Sequence, residues 1–314
     1  MARFAYSFSL ACCPAIILVC ACSAPAPVTQ TGFTVKVKNE TSRHEIFSVF
    51  LLPEEETEIE VLQSEVECTA NAEAGTLRAI GRNHWSFRAP ATSGDFVVQI
   101  NAPSTSKRMP LNVFVMVPFT KIKDEYLQGY RIGTYPNKPL RGQSAYATPA
   151  GFIKVTESNQ DILLTPHFQL KQFLCKQESA YPKFVALHER LLLALEFILQ
   201  KVQAEGYKVN TFGFISGYRT PYYNATIENT PNSRHVYGDA ADIFIDANLD
   251  GKMDDLNRDG AINERDVRLF FDLVDELSEA EEFKPFTGGL GLYKRTAAHE
   301  GFVHVDTRGA KTRW

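Results

Sequence analysis

The sequence predicts an α+β protein, a small all-β sandwich followed by a mixed second domain. Three observations predict it. Apolar residues alternate with period two in several short runs between 33 and 117. A long amphipathic stretch then covers 181–205. A strand-like run at 209–215 and a second helical stretch at 264–282 follow it. The 314 residues are 44% hydrophobic and 22% charged, enough apolar material for two cores and too much for a disordered chain. Against 37 Asp and Glu stand 33 Lys and Arg, a net of −4, which gives no basic footprint for nucleic acid.

Residues 1–22 read as a lipoprotein-type signal peptide. Arg3 supplies the positive start and Leu10 to Val19 the apolar core, too short for a stable transmembrane helix. Val19-Cys-Ala-Cys22 resembles a bacterial lipobox, which makes Cys22 the lipidated first residue of an exported chain. The alternative is ordinary cleavage after Ala21 or Ala24. Residues 23–30 form a tether. Ser23 replaces the aspartate that retains many lipoproteins at the inner membrane, so the expected location is the periplasm, with a lipid in the outer membrane. Nothing near 20 apolar residues follows the first 25, which excludes a polytopic membrane protein. Once Cys22 carries lipid, Cys68 and Cys175 remain, as one disulfide or as two buried thiols.

The sandwich spans 31–118. Phe33 to Lys38, Glu58 to Leu62 and Phe96 to Ile100 alternate, and Leu111 to Val117 is a nearly continuous apolar run suited to a central strand. Turn residues separate them at 71–75, 91–94 and 102–104. His44 and His84 stand alone and carry no ligand pattern, and Trp85 belongs in the core. Residues 119–162 read as extended connecting structure. Tyr181 to Glu205 places Phe184, Leu187, Leu191, Leu195, Ile198 and Val202 at helical spacing, with Gly206 as its stop.

Three segments of the last hundred residues carry chemistry. They are Ser216-Gly-Tyr-Arg219, Ser233-Arg-His235 through Asp242, and Gly288-Gly-Leu-Gly-Leu-Tyr293 followed by Phe302-Val-His-Val-Asp306. Two imidazoles and a carboxylate, His235, Asp242 and His304, suit Zn²⁺ and leave a fourth position for water. Taken singly, each His is more often a packed or surface residue.

The combined pattern resembles the zinc D-Ala-D-Ala carboxypeptidase and murein endopeptidase family, whose fold core is shared with the Hedgehog signalling domain. It is most similar to the murein LD-endopeptidase branch. Thr165 to Leu174 resembles the segment that opens the family domain, so the resemblance covers roughly 163–314 and leaves the sandwich unassigned. It implies that His235, Asp242 and His304 are zinc ligands. It implies that Arg219 faces the scissile carbonyl oxygen and stabilises the oxyanion, the alternative being a structural ion pair. Ser233 binds substrate or holds its loop.

The general base departs from the family pattern. Several relatives place a Glu three residues before the last ligand, where this chain has Gly301. The candidates are Glu300, His299 and Asp306, with Asp306 a base, a supporting residue or an alternative ligand.

Residues 246–266 add an acidic insertion with two copies of Asp-x-Asn-x-Asp-Gly. Asp246, Asn248 and Asp250 begin the first copy, and Asp255, Asn257 and Asp259 the second. The pattern resembles the first half of an EF-hand or dockerin calcium loop, with Asp266 at the twelfth position of the better-formed second copy. The alternative is a solvated acidic turn.

The expected function is an exported, zinc-dependent peptidase of peptidoglycan stem peptides or cross-links, with Ca²⁺ a second candidate ion. The alternative is a non-catalytic cell-wall-binding protein that keeps the fold.

Overall fold

The computed structural model describes residues 30–62 and 65–314, and it is mixed α+β. The expected signal peptide, Cys22 and the tether up to residue 29 lie outside the described residues. Among the described residues no helix is long and apolar enough to cross a membrane.

The first part is β1 (Gln30–Val37), β2 (Glu40–His44), β3 (Phe47–Leu51), β4 (Glu56–Leu62), β5 (Thr69–Ala72), β6 (Thr76–Gly81), β7 (His84–Arg88), β8 (Gly94–Ala102) and β9 (Lys107–Val115). They form two sheets, β2-β1-β4-β7-β6 and β3-β9-β8-β5. Alternation does the sorting: Val35, Val37, Ile59, Trp85, Phe87, Val98, Ile100, Leu111 and Val113 are buried in one core. The four runs expected to be strands fall on β1, β4, β8 and β9, with β1 ending at Val37 and β9 at Val115. The alternation missed β2, β3, β5, β6 and β7. β5 takes Asn71 and Ala72, expected in a turn, because they pair with Gln99 and Val98. β3 is buried on both faces and pairs in parallel with β9. Its continuous burial gives no period-two signal.

The second part begins with β10 (Val117–Pro118), β11 (Tyr126–Leu127), β12 (Tyr130–Arg131), β13 (Gly151–Val155), β14 (Leu163–Thr165), β15 (Phe168–Gln169) and β16 (Lys183–Val185). Residues 119–162 are more than a connection. Tyr130, Ile132, Tyr135 and Phe152 are buried in the same core as the helices that follow. α1 covers Glu189–Ala204, so it starts later than the periodicity at Tyr181 suggests. Phe184 and Leu187 continue the helical spacing and are buried, but Lys183–Val185 pairs with β13 instead. Strand pairing satisfies those backbone groups as a helix would, so apolar spacing alone does not distinguish the two.

β17 (Phe212–Ser216), α2 (Pro221–Thr226), β18 (Ala240–Ile245), α3 (Glu264–Leu277), β19 (Gly289–Tyr293), β20 (Phe302–Asp306) and β21 (Thr312–Arg313) complete the chain. The last sheet runs β17-β18-β20-β19-β21, antiparallel except for β19 with β21. Ala241, Ile243, Val303 and Val305 join Val267, Phe270 and Val274 of α3 in the core. The alternate residues of β18 and β20, Asp242 and His304, therefore point to the opposite face.

Candidate metal centre

Register builds the site. Ser216 pairs with Asp242, Asp242 with His304, and His304 with Gly291, one row across four strands. Directly paired residues project their side chains side by side. His235 reaches the row from the 3₁₀ turn Arg234–Tyr237, whose backbone Tyr135 grips through an O–H bond to the Val236 carbonyl at 2.9 Å.

Three ligand-type atoms converge, each from a buried side chain. His235 Nε2 lies 3.1 Å from Asp242 Oδ1 and 3.1 Å from His304 Nδ1, and His304 Nδ1 lies 2.8 Å from Asp242 Oδ1. For metal–ligand bonds of 2.0–2.1 Å the edge of a tetrahedron is about 3.3 Å, so these spacings are close to those of a zinc tripod.

The outer nitrogens decide what the inner ones offer. His235 Nδ1 donates to the Gly217 carbonyl at 2.7 Å. His304 Nε2 donates to Asp306 Oδ2 at 3.1 Å. With both protons held outward, both inward nitrogens present lone pairs to a carboxylate oxygen. Three acceptors at this distance repel one another unless a cation lies among them, so the residues fit a divalent metal. Without a metal the chain resolves the conflict with a proton. Burial disfavours a charged His304, but Asp242 and Asp306 outweigh it and push its pKa up to about 9. Burial lowers the pKa of His235. Burial also works against the Asp242 carboxylate, yet His235 and His304 hold it well below the usual carboxylate range.

Asp306 stands outside the three converging ligand-type atoms. Its oxygens take His304 Nε2, the Gly289 N–H at 3.0 Å and the Arg308 guanidinium, and it is buried. It orients His304 from behind. Arg219 lines the cleft and makes the ion pair that stood as the alternative to an oxyanion role. Its Nη2 donates to Asp242 Oδ2 at 2.6 Å and its Nε to Ser216 Oγ at 2.7 Å. The guanidinium therefore holds the second oxygen of Asp242, which leaves Oδ1 for the cluster.

The cluster opens into a cleft of about 840 Å³ lined by Arg219, Ser233, His235, Asp242, His299 and His304, with Trp314 on one wall. The cleft separates the base candidates. His299 lines it, and its Nδ1 donates to the Glu300 carbonyl at 2.8 Å, which occupies that nitrogen and leaves Nε2 as the one available to substrate. Glu300 does not line it and sits 3.4 Å from Arg295. Ser233 Oγ has no hydrogen bond among the described residues and lines the cleft.

The motif analysis missed Trp314. Its ring centroid is 5.2 Å from that of His304, and its Nε1 donates to the Tyr293 hydroxyl at 2.8 Å. A Cβ on Gly291 would meet the indole at 2.5 Å, and one on Gly289 would collide with Asp306. The glycine-rich segment thus seats the tail and the Asp306 carboxylate. Its spacing was visible in sequence, but its partners were not.

The acidic insertion winds as two matching turns. Asp246 accepts from the N–H groups of Asp250 and Gly251, and Asp255 from those of Asp259 and Gly260. Asn248 and Asn257 each accept from the residue two further on, as do Asp250 and Asp259. Asp266, expected at the twelfth calcium position, is fully buried. It accepts from Leu256, Asn257 and Asn263 and so anchors the start of α3. Among the described residues, the only cluster of three potential metal-binding His, Cys, Asp or Glu side chains is His235, Asp242 and His304. Cys68 and Cys175 are both buried, and among the described residues they form no disulfide. His84 pairs with Glu58 at 2.9 Å on the surface, and Trp85 lies in the sandwich core.

No family model, curated protein or solved structure matches this chain.

Proposed function

We propose that this chain is a zinc metallopeptidase that hydrolyses amide bonds in peptidoglycan stem peptides or cross-links, on a Hedgehog-like D-Ala-D-Ala peptidase fold. The observation that carries the reading is the convergence of His235 Nε2, Asp242 Oδ1 and His304 Nδ1 at the floor of an open cleft, with both outer ring nitrogens tied down. Zn²⁺ held there would polarise the amide carbonyl and acidify a water. His299 Nε2 takes the proton of the attacking water and returns it to the leaving amine. Arg219 fixes Asp242, and its Nη1, which makes no hydrogen bond among the described residues, is the donor left for the developing oxyanion. Ser233 Oγ is free to bind the substrate backbone.

Metal content tests the reading together with rate. The wild-type chain should carry about one zinc equivalent, and His235→Ala or His304→Ala should lose both metal and hydrolysis, because two ligands hold zinc poorly. Full metal in both variants would overturn the ligand assignment. Calcium in the 246–266 insertion is a separable proposal. It requires that millimolar calcium raise Tm and that Asp255→Ala with Asp259→Ala abolish the gain. The lipid anchor is tested by Cys22→Ser, which should release the protein from membranes.

A further inference from the structure

We propose that Lys176 sets the specificity of the cleft by capturing a carboxylate of the peptide substrate. The inference rests on the peptidase reading and names the substrate chemistry that the same site selects.

Alternation places the side chain. Cys175 and Gln177 are buried, so Lys176 between them points away from the core and lines the metal cleft. Gln177 locks the segment at both ends of its amide. Its Oε1 accepts from Thr220 Oγ1 at 2.6 Å, and its Nε2 donates to the Arg131 carbonyl at 3.1 Å. Thr220 follows Arg219 and caps α2, so one hydrogen bond ties the Lys176 segment to the Arg219 turn.

Charge accounting isolates Lys176. The arginines lining the cleft are each paired: Arg219 with Asp242, Arg234 with Asp239, and Arg308 with Asp306. Lys176 has no ion pair or hydrogen bond among the described residues, and Arg219 is a like-charged neighbour. Partial burial, and then Arg219, lower its pKa against the opposing pull of Asp242. A substrate carboxylate placed there would meet an ammonium with no competing partner and would offset the repulsion from Arg219. The carboxylate can be the terminal α-carboxylate or a side-chain carboxylate of the stem.

Three probes distinguish these sources: a stem peptide with both carboxylates free, its α-amide, and its side-chain amide. Affinity is read by calorimetry on the full chain, and kcat/KM on the zinc-loaded chain. Amidating the captured group should weaken wild-type binding and kcat/KM about 10- to 100-fold, the scale of one charge-assisted hydrogen bond. Lys176→Gln should bind free and amidated peptides alike with zinc content unchanged, and Lys176→Arg should restore the discrimination. Undiminished discrimination in Lys176→Gln, or none in the wild type, would overturn the proposal. A zinc-loaded wild type that hydrolyses none of the probes would refute the peptidase reading instead, and the binding arm would still decide the role of Lys176.

Discussion

His304 carries the proton that a metal must displace. Its metal-free pKa is raised to about 9 by Asp242 and Asp306 against the effect of burial. A raised folded-state value contributes stability that is complete below about 6.5 and lost as pH climbs toward 9. The metal-free protein should therefore be more stable at pH 6 than at pH 9, other groups aside. Zinc binding at pH 7.5 should release about one proton, seen as a dependence of calorimetric heat on the buffer's ionisation enthalpy. Binding without proton release would contradict this protonation pattern. Arg219→Ala should lower zinc affinity about 10- to 100-fold as well as slow turnover, because the guanidinium orients a ligand. Unchanged affinity with a reduced rate would mean that Arg219 acts on substrate alone.

Spacing alone is a weak signal, but the resemblance of the motifs made the convergence of His235, Asp242 and His304 legible. The direction of Arg219 was not, since the Ser216-Gly-Tyr-Arg219 turn specifies a backbone and leaves the rotamer open. The choice among the base candidates was not legible either, because His299 and Glu300 are neighbours in one loop and only the fold shows that His299 lines the cleft.

Cross-strand register is what turns distant residues into a site. Ser216, Asp242, His304 and Gly291 form one row, and a one-residue slip of β20 would send His304 into the α3 core. Gly291 closes that row by leaving room for the Trp314 indole. Gly291→Ala should displace the ring at a cost of about 1–3 kcal/mol, the usual range for overpacking. Indole fluorescence and zinc affinity should change together. A stable variant with an unaltered tryptophan signal would show that the tail does not brace the site.

Elements were read best where alternation or helical spacing was unbroken, as in β1, β4, β8 and β9. They were read worst where both faces are buried, as in β3, or where apolar spacing fits helix and strand alike, as at Phe184. α3 starts at Glu264 as expected, and Asn263 and Asp266 form a capping box there.

The two cores are sewn together along β3, β9 and α1. Ser48 Oγ donates to the Leu164 carbonyl and Asn112 Nδ2 to the Leu163 carbonyl, each at 2.8 Å. Glu189 of α1 accepts from the Phe50 N–H at 2.9 Å, and Arg190 pairs with Glu40 at 2.8 Å. Leu193 of α1 is buried in the sandwich core. This interlock was not legible, because a change of periodicity marks where a chain divides and says nothing of how its parts dock. Calorimetry should give one cooperative transition, and Leu193→Ala should lower it by about 2–5 kcal/mol. Two resolved transitions in the wild type would contradict the interlock.

On the proposed reading, this cleft holds zinc and cuts the peptide of the cell wall. Mass spectrometry of purified muropeptides incubated with the zinc-loaded chain, with His304→Ala alongside, tests it most directly. The products expected on this reading are those of single amide hydrolysis, each pair of fragments summing to the parent plus one water, with none from the variant. Intact muropeptides after incubation with a chain carrying one zinc equivalent would contradict it.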